Sequence, residues 1–172
     1  EQIKLFFLIL AAGTLVLTYD LIFFNNMGLI PALHTGFFMA TSALTTTGYQ
    51  VANLSTWADV TLLFLALITL IGGAAGSAAG GIKLNRVAFA FHALLWWFQR
   101  LYISGKVLIP FRIEGRIIPK AAAELETAKN ILVIILSVST VSVASLAILQ
   151  FHLTTFSISE ILFTTVSAFS TC

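Results

Sequence analysis

Six consecutive residues, Thr45-Thr46-Thr47-Gly48-Tyr49-Gln50, lie between two apolar segments. Their types suit one kind of chemistry. A Thr-x-Gly-Tyr stretch offers a row of backbone carbonyl oxygens that can replace the hydration shell of a dehydrated cation, as in a potassium selectivity filter. Gly48 permits backbone angles that aim carbonyls inward without a Cβ clash. Irregular backbone of this kind is tolerated at membrane depth only where it is buried in protein or lines a water-filled cavity. On this reading K⁺ is held by the carbonyls of Thr46, Thr47 and Gly48, with Tyr49 completing the strand. A second stretch, Gly72-Gly73-Ala74-Ala75-Gly76-Ser77-Ala78-Ala79-Gly80-Gly81, carries five glycines and no large side chain. Each glycine weakens a helix by about 1 kcal/mol relative to alanine, so this stretch reads as a break.

The elements that must position these residues are membrane helices. Hydrophobic residues make up 59% of the 172 residues, charged residues 9%, and the mean hydropathy is +1.01. Soluble domains carry about 25% charged residues. Ile3 to Phe24 and Ile131 to Gln150 are each long enough to cross a bilayer core of about 30 Å. The first is too long for a signal peptide and lacks a small-residue cleavage site. Gly36 to Thr47 is too short to cross and reads as a re-entrant pore helix leading into the filter. A helix begins near Trp57, with Ser55 or Thr56 as N-cap and Trp57 as an interfacial aromatic. Unbroken to Tyr102 it would be about 69 Å long at 1.5 Å per residue, so the glycine stretch must interrupt it.

Charge sets the orientation. Eight of the nine Lys and Arg residues lie between Lys83 and Lys129, and none lies between Leu5 and Ile82. The positive-inside rule puts the Lys83–Lys129 stretch on the cytoplasmic side. Glu114, Glu124 and Glu126 dilute its charge, and apolar residues interrupt it, which argues against nucleic acid as a partner. The single cysteine, Cys172, excludes an internal disulfide framework and a Cys-based zinc site.

Shifted by 125 residues, the chain partly overlays itself. Lys4 falls on Lys129, Phe38 on Phe163, Ser42 on Ser167, Ala43 on Ala168 and Thr46 on Thr171. A second pore helix is expected from about Ser157 to Phe169, with Glu160 at its head, where a helix N-terminus favours an acid. Ser170-Thr171-Cys172 would open a second filter. The fold class that follows is an all-α membrane protein built from repeated helix–pore loop–helix units, one complete and one partial. The units are 1–102, a basic cytoplasmic linker 103–127, and 128–172.

Ser42 to Tyr49, Ile71 to Lys83 and Val166 to Cys172 together resemble the Trk/Ktr/HKT superfamily of potassium transporters, specifically the bacterial Trk/Ktr membrane subunit. The resemblance covers nearly the whole chain. It implies the third of four repeats and most of the fourth, the remaining repeats belonging to the same parent protein. It implies K⁺ as the transported ion, no covalently bound cofactor, and a multi-pass position in the bacterial inner membrane. It implies a homodimer regulated by a cytosolic nucleotide-binding ring. It further implies that Gly72, Gly73, Gly76, Ser77, Gly80 and Gly81 form an intramembrane loop that gates the pore. Gln50 stands where many potassium channels carry a second glycine.

Other readings compete. The glycines could instead pack helices closely, as in a membrane assembly or scaffold protein that transports nothing. A phosphate loop is excluded, because Ile82 separates Gly81 from Lys83 and no Ser or Thr follows the lysine. A serine hydrolase built on Ser77 lacks the Gly-x-Ser-Gly pattern, and the chain is not expected to be an enzyme. Asp20 and Asp59 flank the outer mouth, either concentrating cations or simply solvated. His34, His92 and His152 have no partners at metal-ligand spacing. Lys83 and Arg86 read as interfacial anchors or as partner contacts.

Overall fold

The computed structural model describes residues 2–102, 111–113, 116–118, 120–150 and 156–172. Residues 103–110, 114–115 and 119 of the basic segment lie outside them, as does His152, and nothing is described of the Ser55 or Arg100 side chains.

Helix α1 (Gln2–Phe23) is followed by α2 (Leu29–Leu44) and by a 3₁₀ turn over Leu54–Thr56. Then come α3 (Asp59–Leu70), β1 (Ile71–Gly72), β2 (Ile82–Lys83) and α4 (Leu84–Tyr102). The chain continues with β3 (Phe111–Ile113), β4 (Arg116–Ile118), α5 (Lys120–Gln150) and α6 (Ile158–Ser170). The fold is mostly helical. The all-α expectation needs one amendment, because two short ladders are present. β1 pairs with β2 in parallel, Ile71 opposite Ile82 and Gly72 opposite Lys83. β3 pairs with β4 antiparallel. The parallel pairing has a consequence. After the excursion through 73–81 the chain returns beside β1 running in the same direction, and α4 follows.

α1 and α5 are long and apolar enough to cross a membrane, with mean hydropathies of 2.1 and 2.5 in their best windows. α1 buries one stripe, Gly13, Thr14, Leu17, Thr18 and Leu21, at the three- and four-residue spacing of a single helix face. Phe7, Leu8, Leu15 and Tyr19 stay exposed on the remaining surface. The stripe lies against α2. A Cβ at Gly36 would sit 2.7 Å from Thr18 Oγ1 and 3.1 Å from the Thr18 backbone nitrogen. Glycine is what lets these two backbones approach so closely. α2 is thereby held between α1 and α3, with Leu17, Met39, Ala40, Leu44, Leu62 and Leu65 in one buried cluster.

α2 starts at Leu29, seven residues ahead of the expected Gly36. Pro31 is accommodated because it falls in the first turn, where its missing N–H would have had no intrahelical partner. The helix after the first filter starts later than expected. Ala58 is its N-cap, and Asp59 supplies an acid in the first turn. Thr56 Oγ1 instead donates to Asn53 O at 2.8 Å within the 3₁₀ turn. Trp57 is 7% exposed and packs in the buried cluster. α5 begins at Lys120, inside the 103–127 stretch expected as linker. α6 matches the second expected pore helix within one residue. Its N-cap Ser157 and Glu160 form a reciprocal capping box.

Candidate functional site

The two turns that end α2 and α6 have the same construction. After α2, Thr46 N donates to Ala43 O (3.1 Å) and Thr47 N to Ser42 O (2.9 Å). After α6, Thr171 N donates to Ala168 O (3.4 Å) and Cys172 N to Ser167 O (3.0 Å). Every residue of one set lies 125 positions from its counterpart in the other. Thr46 and Thr171 both adopt left-handed backbone, at φ +51° and +57°. This is the usual way a helix ends with its last carbonyls satisfied, but glycine is the usual occupant. A threonine in this conformation costs roughly 1–2 kcal/mol. The structure places that local strain at the entrance of each candidate filter.

Side-chain hydroxyls pin the first turn further. Ser42 Oγ donates to Tyr49 O at 2.8 Å, tying the helix to the far end of the candidate filter strand. Thr45 Oγ1 and Thr47 Oγ1 lie 2.7 Å apart in a hydrogen bond. Gly48 has φ +79°, and a Cβ there would lie 2.7 Å from the Cys172 carbonyl carbon. Glycine is thus required twice, by its dihedral and by the approach of the second turn. A small cavity of about 30 Å³ lies between the turns, lined by Ser42, Gly48, Tyr49, Ser167 and Cys172 among others. It has room for one water-sized occupant. In the second turn Ser167 Oγ donates to Cys172 O at 2.7 Å. Sequence comparison within the chain marked Ser42 and Ser167 only as repeated positions. Their role in fixing the turns appears in the structure.

The glycine segment lies against the base of both turns. Gly80 N donates to Thr46 Oγ1 at 2.9 Å. A Cβ on Gly80 would collide with Ser170 O and lie 2.7 Å from Thr171 Oγ1. A Cβ on Gly72 would collide with Gly80 O. A Cβ on Gly73 would press on Ser77 Oγ at 2.9 Å. Gly76 and Gly81 have φ +85° and +65°. Ser77 Oγ donates to Ala74 O at 2.7 Å and closes a turn within the loop. Lys83 does not extend outward as an anchor. Its Nζ turns back and donates to Ser77 O at 2.8 Å and to Ala79 O.

The two acids expected at an outer mouth are tied to neighbouring helices. Asp20 is buried and accepts a hydrogen bond from Thr61 Oγ1, joining α1 to α3. Asp59 is exposed and accepts from Ser159 Oγ and, at 3.5 Å, from Ser157 Oγ. It therefore joins the N-terminal ends of α3 and α6. His34 is exposed on α2, and His92 Nδ1 pairs with Ala88 O at 2.8 Å.

Known proteins resemble this chain in sequence and in fold. The TrkH family profile, described as a cation transport protein, matches residues 3–172. The Trk system potassium uptake protein TrkG of Escherichia coli (strain K12) is 34% identical over 87 residues, which are 50% of this chain and 18% of that protein. The Trk system potassium uptake protein TrkH of Halomonas elongata is 30% identical over 83 residues, 48% of this chain and 17% of its own length. An uncharacterised cation transporter of Methanocaldococcus jannaschii is 36% identical over 72 residues, 42% of this chain and 15% of that protein. The crystal structure of the potassium transporter TrkH from Vibrio parahaemolyticus is similar in fold, with a TM-score of 0.73 at 16% identity. The similarity covers 98% of this chain and 42% of that one. The matched stretches thus span less than a fifth of each curated relative.

Proposed function

This chain belongs to the TrkH cation transport family, and on that premise we propose that it forms part of a pore carrying K⁺ across a bacterial inner membrane, which it crosses more than once. The observation that carries the proposal is the pair of turns with matching hydrogen bonds and left-handed threonines, set side by side with a glycine segment against their common base. The carbonyls of Thr46, Thr47 and Gly48 coordinate the ion, with Tyr49 completing the first strand and Thr171 and Cys172 opening the second. Each is a helix–pore loop–helix unit, and four such strands around an axis surround a dehydrated cation with rings of oxygens. The other repeats of the same parent protein complete the ring. Units 1–102 and 128–172 supply the third repeat and the filter side of the fourth, joined through the basic 103–127 stretch on the cytoplasmic side.

Gly72, Gly73, Gly76, Ser77, Gly80 and Gly81 form the gate. The segment is thin enough to lie across an ion path at the filter base, and its helix is already interrupted there. The membrane subunit works as a homodimer surrounded by lipid. A cytosolic nucleotide-binding ring docks on the basic side and biases the loop. K⁺ is cargo, and no bound cofactor is needed. Helix packing alone, as in a scaffold, leaves the strained threonines and the apposed turns without a purpose.

The test is growth of a bacterium lacking potassium uptake at low external K⁺, supplied with the full reading frame that carries this chain and its cytosolic partner. The expected result is rescue. Failure of a well-expressed, membrane-inserted protein to rescue would leave the scaffold reading.

A further inference from the structure

Gly80 is wedged between the bases of two turns that belong to different units. Its N–H is held by the Thr46 hydroxyl at 2.9 Å, and its Cα face lies directly against Ser170 O and near Thr171 Oγ1. Thr46 is also the left-handed residue whose carbonyl begins the first filter strand. One side chain therefore joins the strand that would hold the ion to the segment that would block or open its path. The matching residue of the second turn makes no such link. Thr171 Oγ1 donates to Ser170 O at 2.6 Å. Beside it the Ser170 hydroxyl is fully buried and has no hydrogen-bond partner among the described residues, 3.1 Å from where a Gly81 Cβ would be. A buried hydroxyl left unpaired costs roughly 1–3 kcal/mol. The junction is thus held on one side by a single hydrogen bond and is unsatisfied on the other, which suits a seat that the loop can leave.

We propose that the Thr46 hydroxyl is a positioning group that couples ion occupancy of the filter to the seating of the glycine segment. An ion bound by the Thr46 carbonyl fixes that backbone, and with it the acceptor for Gly80. An empty filter lets the turn relax and weakens the seat. Coupling of this kind is reciprocal, so an unseated loop also loosens ion binding. The inference rests on the transport reading above.

The test introduces Ser170→Cys in a Cys172→Ser background of the full reading frame. Ser170 is fully buried, so a thiol there reports departure of the loop. Inverted membrane vesicles are loaded with K⁺ or with choline and exposed to a membrane-impermeant thiol reagent. Lumenal K⁺ is expected to slow modification at least about fivefold, the lower end of typical couplings. Thr46→Val should abolish the K⁺ effect, and Thr46→Ser, which keeps the hydroxyl, should retain it. The proposal is overturned if Thr46→Val keeps the K⁺ effect, if Thr46→Ser loses it, or if no condition gives modification. Rb⁺ uptake by the parent without substitutions is measured in parallel. If it carries no Rb⁺ the transport reading fails, and if it carries Rb⁺ without the expected thiol pattern the coupling alone fails.

Discussion

The turn at 42–49, the proposed filter, and the glycine segment at 72–81 both depend on glycine, for different reasons. In the turn, Gly48 is one residue in a polar network, pinned by Ser42, Thr45 and Thr47 hydroxyls and pressed against Cys172. In the segment, Gly72 and Gly80 provide clearance, and the described ties lie mostly within the segment and its two ends: the β1–β2 pairing, Leu84 N to Gly73 O, Ser77 to Ala74, and Lys83 to Ser77 and Ala79, with Gly80 N to Thr46 Oγ1 reaching the turn. The turn is built to keep one geometry. The segment is tied at its own ends and fits closely against the turns, with one described hydrogen bond, Gly80 N to Thr46 Oγ1, joining it to them. A site that selects an ion needs the former, and a part that moves to let it pass needs the latter.

That contrast can be broken at several points. The largest effect is expected at Gly80. Gly80→Ala drives a methyl into Ser170 O and forces the segment off its seat. Overpacking of this kind typically costs about 1–3 kcal/mol. The thermal midpoint of the solubilised protein should fall, and Rb⁺ flux should rise and lose its regulation by the cytosolic partner. A variant with normal melting and normal regulation would remove the clearance role.

Lys83→Met is next. It removes the ammonium that clips Ser77 O and Ala79 O while keeping most of the side-chain bulk. Rb⁺ flux should rise about two- to tenfold, consistent with loss of one or two charge-assisted hydrogen bonds on an exposed loop, while the ratio of Rb⁺ to Na⁺ stays as in the parent. A changed ratio with unchanged flux would assign Lys83 to the filter.

The smallest effect is expected at Gly76. A Cβ there meets nothing within 4 Å, although its φ of +85° is left-handed. Gly76→Ala should cost about 1–2 kcal/mol of local strain, with flux changed less than about twofold. Comparing it with Gly80→Ala separates dihedral demand from clearance. Equal loss of regulation in both variants would mean that clearance is not the distinguishing property.

Much of this contrast was legible in the sequence. The lengths of apolar runs separated α1 and α5 from the shorter α2 and α6, and glycine density located the break between α3 and α4. The 125-residue shift paired Thr46 with Thr171 and Ser42 with Ser167, and these pairs prove to occupy the same places in the two turns. What was hidden depends on distant partners. Asp20 meets Thr61, 41 positions away, and Asp59 meets Ser159, 100 positions away. No local pattern marks either acid as a tie. Lys83 was misread because its charge suggests an interface, whereas the loop's own carbonyls lie within reach. The burial of Trp57 likewise depends on distant partners, among them Leu17 and Met39 of the same cluster. The start of α2 was expected at Gly36, yet the helix begins at Leu29 and accepts Pro31 in its first turn.

The central claim is that the turn at Thr46–Tyr49 selects the cation. Its most direct test is the ratio of Rb⁺ to Na⁺ uptake by the full-length protein, with and without Gly48→Ser. Serine at φ +79° is strained, and its Cβ meets Cys172, so the carbonyls must turn. The account predicts that the parent prefers Rb⁺ and that Gly48→Ser admits Na⁺ or loses Rb⁺ uptake, from a protein that still inserts and melts cooperatively. An unchanged ratio and rate in Gly48→Ser would contradict it.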